Sequence, residues 1–288
     1  MKLVRFSKDG APGAPGILVG ETVVPLAALA PDAPTDMRAV IAGWDAIAPK
    51  LAGADGSGAG IPLAEVTLMA PVPDPQKIMA IGLNYTDHIA EAAAHGVKAP
   101  ENQIWFSKMP SSVNGPFDPI EYPKAAGNLD YEIEMVAVIG KGGKNISKED
   151  APAAVFGYCV GNDVSVRDWQ MKNPQWVLGK SFDTHAPFGP AITTADEVGD
   201  PHRLGIRCLV NGEIRQNSNT KFLLFNVWDQ IEELSKVMTL NPGDVIFTGT
   251  SGGVGMAMKP QGYLQVGDVV RCEIDELGAI EATIVPEA

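Results

Sequence analysis

Short apolar runs separated by glycine and proline recur along most of the chain, and they predict a fold built mainly from β-strands. The clearest run covers residues 133–139, which are apolar and largely β-branched apart from Glu134. Gly127 and Asn128 precede it and Gly140 follows it, as expected for a buried strand. Other runs predict strands at residues 3–4, 17–19, 22–24, 77–81, 104–106, 155–160, 207–210, 213–216, 245–248, 269–274 and 280–285.

Helical periodicity is confined to a few segments. Apolar residues spaced along 37–51 predict one continuous amphipathic helix. Residues 86–94 follow a turn and predict a second helix, which Thr86 or Asp87 can cap. Further helices are expected at residues 147–154, 167–172 and 226–238.

The composition of residues 52–60 suggests a domain boundary. This stretch contains only glycine, alanine, serine and one aspartate, which is typical of a flexible linker. We therefore predict a small α+β N-terminal domain over residues 1–70 and a larger domain over residues 71–288. The first unit carries no residue with evident chemistry, so we expect it to serve packing or dimerisation.

Composition and charge narrow the class of protein. The chain has 288 residues, 45% of them hydrophobic, and a net charge of −13, which argues against nucleic acid or an anionic membrane as a partner. No stretch approaches 18 consecutive apolar residues and no signal-like segment opens the chain, so we expect a cytoplasmic protein. The cysteines, which are far apart and odd in number, predict reduced core thiols and no zinc site.

Two carboxylates stand at the start of the 133–139 strand. Glu132 and Glu134 are two residues apart and therefore project from the same face. Two like charges at the mouth of an apolar strand repel each other and cost desolvation, and a hard divalent cation would remove both penalties. The pair alone also fits an exposed edge strand with a polar face.

Asp163 is the natural third ligand of such an ion. It follows the 155–160 strand, where a side chain can join a site built from neighbouring strand ends. Glu132, Glu134 and Asp163 would then bind one cation and leave positions for water or substrate. A single aspartate after a strand is usually a turn residue or a helix cap, so its assignment depends on the two glutamates.

Candidate acid–base chemistry lies on the predicted 86–94 helix. His88, Glu91 and His95 share one face, and a glutamate one turn away can orient a histidine and make it more basic. Such a pair could activate water as a general base. The alternative is a solvated helix face, and His95 beside Gly96 fits a surface position.

Two glycine-containing segments later in the chain could contact an anionic substrate. Lys180 follows an apolar stretch and Gly179, so it could be partly buried and neutralise an oxyanion, or it could be a surface lysine in a loop. Residues 249–255 are glycine-rich but match neither a P-loop nor a dinucleotide fingerprint. Their backbone N–H groups, with the Thr250 hydroxyl, could cradle a carboxylate.

Five motifs follow one another along the chain. They are Gly-Leu-Asn-Tyr-x-x-His-x-x-Glu (82–91), Asp-Tyr-Glu-x-Glu (130–134), Gly-x-x-x-Gly-Asn-Asp-Val-Ser-x-Arg-Asp (157–168), Gly-Lys-Ser-Phe-Asp-Thr (179–184) and Gly-Thr-x-x-Gly-Val-Gly (249–255). Taken in order, these motifs closely resemble the fumarylacetoacetate hydrolase family over roughly residues 70–285. The resemblance implies a mainly β α/β fold, with a mixed, rolled β-sheet in the C-terminal domain, and a homodimer. It also implies one Mg²⁺ or Mn²⁺ at Glu132, Glu134 and Asp163.

The family pattern also assigns roles within the pocket. It implies a water-activating dyad of His88 and Glu91, and a Lys180 that contacts substrate oxygens. Substrate binding falls to Tyr85, Gln170 and Thr250. The chain departs from many acylpyruvate-cleaving relatives at Leu83, where they carry arginine, and at His185-Ala186, where they carry a small or apolar residue followed by cysteine.

The reaction expected from this resemblance is metal-dependent hydrolysis of a C–C bond in a small 2,4-dioxo acid of the acylpyruvate or diketo-sugar-acid type. Water would attack the distal carbonyl, and the leaving carbanion would be a metal-stabilised enolate. The same family contains oxaloacetate decarboxylases, enol–keto isomerases and lyases that stabilise a related enolate, so these remain the alternative. A non-catalytic protein that only binds the ligand is the third possibility.

Overall fold

The computed structural model describes residues 1–51, 53, 58–93, 96, 98–125 and 127–288. Strands dominate it, as the apolar runs predict. In chain order they are β1 (Lys2–Ser7), β2 (Ala14–Val19), β3 (Thr22–Pro25), β4 (Ile61–Pro62), β5 (Thr67–Met69), β6 (Ile78–Gly82), β7 (Ile104–Lys108), β8 (Val113–Asn114), β9 (Ile120–Tyr122), β10 (Leu129–Asp130), β11 (Ile133–Ile139), β12 (Val155–Asn162), β13 (Ser165–Val166), β14 (Ala186–Thr194), β15 (Gly205–Val210), β16 (Glu213–Asn219), β17 (Val245–Thr250), β18 (Val269–Ile274) and β19 (Gly278–Pro286).

A large mixed sheet carries the candidate site residues. Its strand order is β4-β3-β2-β1-β14-β12-β11-β17-β6-β7, with β5 paired to β1 and β8 paired to β14. Strand β11 is antiparallel to β12 and β17, whereas β17 runs parallel to β6. The strands of the N-terminal unit extend this sheet, since Lys2 pairs with Thr193 and Leu3 with Ile192.

A second sheet covers one face of the large sheet. Its order is β16-β15-β18-β19-β9, and one apolar cluster joins Met135 and Val160 of the large sheet with Ile206 and Val270 of the second. The opposite face of β11 belongs to another cluster, in which Val136 packs with residues of the N-terminal unit. Strand β11 is therefore buried on both faces, which explains its almost continuous apolar sequence.

The helices are short. They are α1 (Leu26–Leu29), α2 (Met37–Ala42), α3 (Trp44–Ile47), α4 (Thr86–Ala93), α5 (Ala151–Ala154), α6 (Arg167–Gln170), α7 (Val177–Lys180), α8 (Ala195–Val198) and α9 (Val227–Val237). The longest, α9, begins with a capping box in which the Asn226 side chain accepts from the Asp229 backbone and Asp229 accepts from the Asn226 backbone. The described residues contain no helix long and apolar enough to cross a membrane.

Two helix predictions were wrong in extent. The single helix expected over residues 37–51 is broken at Gly43, which ends α2 and precedes α3, because glycine adds no helix propensity where the two segments turn. The helix expected from Ser147 begins only at Ala151, and the Ser147 hydroxyl instead donates to Asp150 in the preceding turn. Most of the predicted linker, at residues 52 and 54–57, and also His95 lie outside the described residues.

Candidate active site

The acidic cluster forms where β11 begins and β12 ends. Glu132 directly precedes β11, Glu134 lies within it, and Asp163 directly follows β12. The two strands are in register there, and the Asp163 backbone N–H donates to the Glu132 carbonyl oxygen over 2.8 Å. One oxygen from each of the three carboxylates lies within 4.8 Å of the other two, and all three side chains are buried. The structure therefore brings together the carboxylates that the sequence selects.

Three buried cations surround two of these carboxylates. Lys180 Nζ lies 2.7 Å from Glu132 Oε2 and 2.7 Å from Asp163 Oδ2. Lys108 Nζ lies 2.6 Å from the other Asp163 oxygen, and Arg167 contacts Glu132 Oε1 over 2.6 Å. Lys180 is thus a buried residue at the end of α7, and the surface alternative is wrong.

The cations shift the pKa values of the two glutamates apart. Burial alone raises the pKa of Glu132, but Lys180 and Arg167 outweigh it and lower that pKa to about 2. The pKa of Glu134 is raised well above its ordinary value, first by burial and then by the charges of Asp163 and Glu132. Glu134 receives a backbone N–H from Gly249 over 2.7 Å, and no lysine or arginine among the described residues forms an ion pair with it.

This arrangement fits a hard divalent cation. Carboxylate oxygens are the donors that Mg²⁺ and Mn²⁺ prefer, and the converging set contains neither cysteine nor histidine. Glu134 is the residue that most needs such an ion, because it is buried against two other carboxylates. Glu132, Glu134 and Asp163 would hold the cation.

The His88–Glu91 pair faces the same cavity. His88 Nδ1 lies 3.1 Å from Glu91 Oε2 on α4, and both residues line the cavity with Glu132 and Glu134. Because a carboxylate can only accept, His88 carries its proton on Nδ1 and its Nε2 can take up another proton. The helix face expected to present this pair is therefore turned toward the acidic cluster.

The remaining substrate-binding candidates have different positions. Gln170 and Thr250 line the cavity, which has a volume of about 360 Å³. The Thr250 hydroxyl donates to the Ile133 carbonyl over 2.8 Å, and Gln170 accepts from Arg167 over 2.9 Å. Tyr85 is fully buried and is not among the described residues that line the cavity, so its position does not support direct contact with a substrate.

The glycine-rich loop of residues 249–257 binds carboxylates, but these belong to the protein itself. Gly253 donates its backbone N–H to Glu91 over 3.1 Å, and Gly252 donates to Asp87 over 3.3 Å. Gly255 and Met256 donate to Asp130 over 2.8 and 2.9 Å. These N–H groups were expected to bind a substrate carboxylate. In the structure they instead donate to carboxylates of α4 and β10.

Sequence reasoning missed three charged residues of this network, Lys108, Arg167 and Asp130. Arg167 Nε donates to Asp130 Oδ2 over 2.9 Å while its NH1 reaches Glu132, so the arginine connects the loop to the acidic cluster. The available signal was weak: Asp130 and Arg167 belong to two of the motifs, but their pairing depends on how β10 and β13 meet.

Comparison with known proteins agrees with this geometry. Residues 77–285 match the model of the fumarylacetoacetate (FAA) hydrolase C-terminal domain, and residues 1–71 match an Rv2993c-like N-terminal domain. The chain is 46% identical to "Oxaloacetate tautomerase fahd2, mitochondrial" of Xenopus laevis, covering 99% of this chain and 90% of that one. It is 48% identical to human "Oxaloacetate tautomerase FAHD2A, mitochondrial", covering 78% of this chain and 71% of that one.

Solved structures show the same fold. A putative HpcE protein from Mycobacterium smegmatis matches with a TM-score of 0.88 at 37% identity, and each chain is fully covered. Maleylpyruvate hydrolase from Sphingobium sp. SYK-6, in complex with manganese(II) and pyruvate, matches with a TM-score of 0.84 at 35% identity, again over both full chains. The chain belongs to the fumarylacetoacetate hydrolase family.

Proposed function

We propose that this protein is a divalent-metal-dependent enol–keto tautomerase that acts on a small 2-oxo dicarboxylate of the oxaloacetate type. The observation that carries this proposal is the placement of the His88–Glu91 pair on the cavity that also holds the acidic cluster and Lys180. One centre can then stabilise enolate charge while a separate pair moves a proton. Curated relatives at 46–50% identity that are named oxaloacetate tautomerases support this alternative over the expected hydrolase.

The reaction needs one proton to leave and one to arrive. The enol O–H proton is lost from the oxygen on the second carbon, and the third carbon gains a proton, so no group departs. His88 can exchange that proton through Nε2, while Glu91 holds the ring and stabilises its protonated form. Glu91 is in turn fixed by the Gly253 N–H.

Charge on the substrate oxygens is met by fixed positive groups. Lys180 lines the cavity and keeps its ammonium beside Glu132 and Asp163, where it can also face an enolate oxygen. When bound by the acidic cluster, Mg²⁺ or Mn²⁺ would supply Lewis-acid stabilisation of the enolate. Arg167 lines the same cavity, and one of its guanidinium nitrogens is buried without a hydrogen-bond partner. That nitrogen can donate a hydrogen bond to an anionic group of the substrate.

Hydrolysis of an acylpyruvate is the second candidate. The specific observation in its favour is that the His88–Glu91 pair could activate a water molecule as readily as it could move a substrate proton. A structural neighbour with a TM-score of 0.84 is a maleylpyruvate hydrolase. Hydrolysis would use the same acidic cluster and Lys180.

Two assays on the Mg²⁺-loaded protein separate the candidates. Freshly dissolved enol-oxaloacetate should lose its enol absorbance faster with the protein than with Mg²⁺ alone, and chelation should remove the difference. An acylpyruvate should give no carboxylate product at a comparable rate. Rapid cleavage of the acylpyruvate with no effect on enol-oxaloacetate would favour the hydrolase, and tight binding with no turnover of either would favour a binding protein.

A homodimer and a cytoplasmic location are also retained as proposals. Family resemblance supports the dimer, and light scattering of the purified protein would give its mass directly. The relatives named above are called mitochondrial, which is a property of those proteins. Fractionation of the producing cell would test the location of this chain.

A further inference from the structure

The cavity continues from Lys180 along an uncharged surface. Lys180 Nζ lies 4.9 Å from the centre of the Phe106 ring, and the Phe106 and Trp176 rings meet edge to face with centroids 5.5 Å apart. Trp176 lies against Gly82, where a Cβ atom would fall 2.3 Å from the indole ring. Phe106, Trp176 and the adjoining Leu83 all line the cavity, and together they are called the apolar wall below.

Leu83 holds a fixed place in this wall. Its backbone adopts a φ of 52°, an unusual conformation for a leucine, directly after β6. This conformation belongs to the turn that joins β6 to α4, the helix that carries His88 and Glu91. The wall and the acid–base pair are therefore set by the same turn.

The positively charged side chains that line the cavity are already paired with the acidic cluster. Among the described residues, the lysine and arginine side chains that line the cavity are Lys180 and Arg167, and both are engaged with Glu132. Neither the apolar wall nor its neighbour Ile81 offers a charged partner for a distant carboxylate. A substrate group that reaches the wall therefore gains more if it is apolar, since burying an unpaired charge there is costly.

The volume of the cavity is large enough for a bulky apolar group on the substrate. At about 360 Å³ the cavity falls in the range of sites that bind drug-sized ligands, and a four-carbon dicarboxylate would leave much of it unfilled. Aromatic side chains that meet edge to face can also extend their packing to a third ring.

We infer that the apolar wall binds an aromatic or bulky apolar group on the third carbon of a 2-oxo acid, so that arylpyruvates belong to the substrate class. This inference rests on the proposed tautomerase function for its chemistry. The 2-oxo acid end would lie at Lys180 and the acidic cluster, and the ring would lie against Phe106 and Trp176. The proton balance is unchanged, with one proton lost from the enol oxygen and one gained by the third carbon.

Binding is measured first, because it does not depend on turnover. Calorimetry with the Mg²⁺-loaded protein compares phenylpyruvate with oxaloacetate. Trp176→Ala should weaken phenylpyruvate binding at least about tenfold, since the ring loses a large apolar contact, while oxaloacetate binding changes by less than about threefold. Trp44→Ala is the matched control. Trp44 packs on Phe156 and is not among the described residues that line the cavity, so both affinities should be unchanged.

A second variant guards against a folding defect in the first. Leu83→Arg places a cation in the wall and should shift the preference toward oxaloacetate by about tenfold or more. Val237→Arg is its control, because the Val237 side chain at the end of α9 is exposed. Both variants are compared with the parent protein by thermal unfolding.

Enol absorbance decay is then followed for both acids. Turnover of both, with phenylpyruvate selectively impaired in Trp176→Ala, supports the inference. Failure of the parent protein to bind phenylpyruvate, or an equal loss of both acids in Trp176→Ala, overturns it while leaving oxaloacetate turnover intact. If neither acid is turned over but phenylpyruvate binding still depends on Trp176, the tautomerase proposal fails and the assignment of the wall stands.

Discussion

Two glutamates at the start of β11 have opposite electrostatic environments. Glu132 contacts Lys180 and Arg167, and these cations hold its pKa at about 2 despite burial. Glu134, only two residues away, faces carboxylates, and burial with those charges raises its pKa. A divalent cation would compensate Glu134 in a way that the protein's own residues do not. Glu134 is therefore the side chain that a bound metal ion would stabilise most.

Replacing Glu134 by glutamine should remove metal binding with little change in shape. We expect Mg²⁺ affinity to fall by more than about 100-fold, beyond the effect typical of residues that only orient a ligand. Isothermal titration of the variant with Mg²⁺ measures this. Glu233→Gln, on the exposed face of α9, is the control and should bind as the parent does. Undiminished affinity in Glu134→Gln would contradict the assignment of the acidic cluster.

His88 should matter for proton transfer and not for the metal. His88→Ala is expected to slow enol–keto exchange by a factor on the order of 10²–10⁴, because the residue that exchanges the proton is removed. Mg²⁺ affinity should stay within experimental error of the parent value. If both the exchange rate and the affinity fall together, His88 supports the acidic cluster and the acid–base role is wrong.

His185 gives the protein a source of acid sensitivity. Burial lowers its pKa to about 3, and its Nε2 lies 2.9 Å from the Glu121 carbonyl. The unfolded chain takes up this proton near pH 6.5 and the folded chain does not, so stability is present above pH 6.5 and is lost as pH falls toward 3. Between pH 7 and pH 5 this residue should cost about 2 kcal/mol.

The variant His185→Leu has no such proton to gain. Its free energy of unfolding should be lower at pH 7 but should fall less between pH 7 and pH 5 than that of the parent. Denaturant unfolding at the two pH values gives both slopes, and the remaining histidines contribute equally to each protein. Equal slopes would show that His185 titrates normally in the folded state.

At the scale of elements, the glycine-rich loop holds the site together. Its backbone N–H groups bind Asp87 and Glu91 from α4 on one side and Asp130 from β10 on the other. Asp130 also receives Arg167, which contacts Glu132. The helix with the acid–base pair and the acidic cluster are thereby tied to the same loop.

Removing the charge of Asp130 should therefore be costly. Asp130→Asn is expected to lower the free energy of unfolding by about 3–5 kcal/mol, because the buried Arg167 loses one of its two carboxylate partners and two loop N–H groups lose a charged acceptor. Denaturant unfolding measures the change. Asp45→Asn, which affects an ion pair with Lys141 that is largely exposed, should change stability by less than about 0.5 kcal/mol. Similar values for the two variants would contradict a structural role for Asp130.

The sequence predicts elements where a local pattern is strong. Strand β11 lies where an apolar run predicts a strand, and helix α9 lies within the helix predicted over residues 226–238. The break at Gly43 was not predicted, since the apolar spacing continues through it and only tertiary packing separates α2 from α3.

The same limit applies to the site. Glu132, Glu134 and Asp163 could be selected because like charges at neighbouring strand ends suggest a cation. Lys108 and Arg167 could not, because each is a single charge in an ordinary setting until β7 and α6 are brought against the cluster.

At the scale of the whole molecule, the N-terminal unit is built onto the large sheet. Strand β1 pairs with β14, which pairs with β12, the strand that ends at Asp163. The sheet thus runs from the N-terminal strands to the acidic cluster without interruption. The fold holds the acidic cluster where two buried strands begin and end, and the His88–Glu91 pair on helix α4.

The central claim is that this site catalyses proton exchange at the third carbon of a 2-oxo acid. Proton NMR of oxaloacetate in deuterated water tests it directly, since deuterium replaces the hydrogens on that carbon and pyruvate from decarboxylation gives a separate methyl signal. The Mg²⁺-loaded protein should accelerate the exchange well beyond Mg²⁺ alone, and Glu134→Gln should abolish the acceleration. Exchange no faster than with Mg²⁺ alone, or equally fast with Glu134→Gln, would contradict the claim.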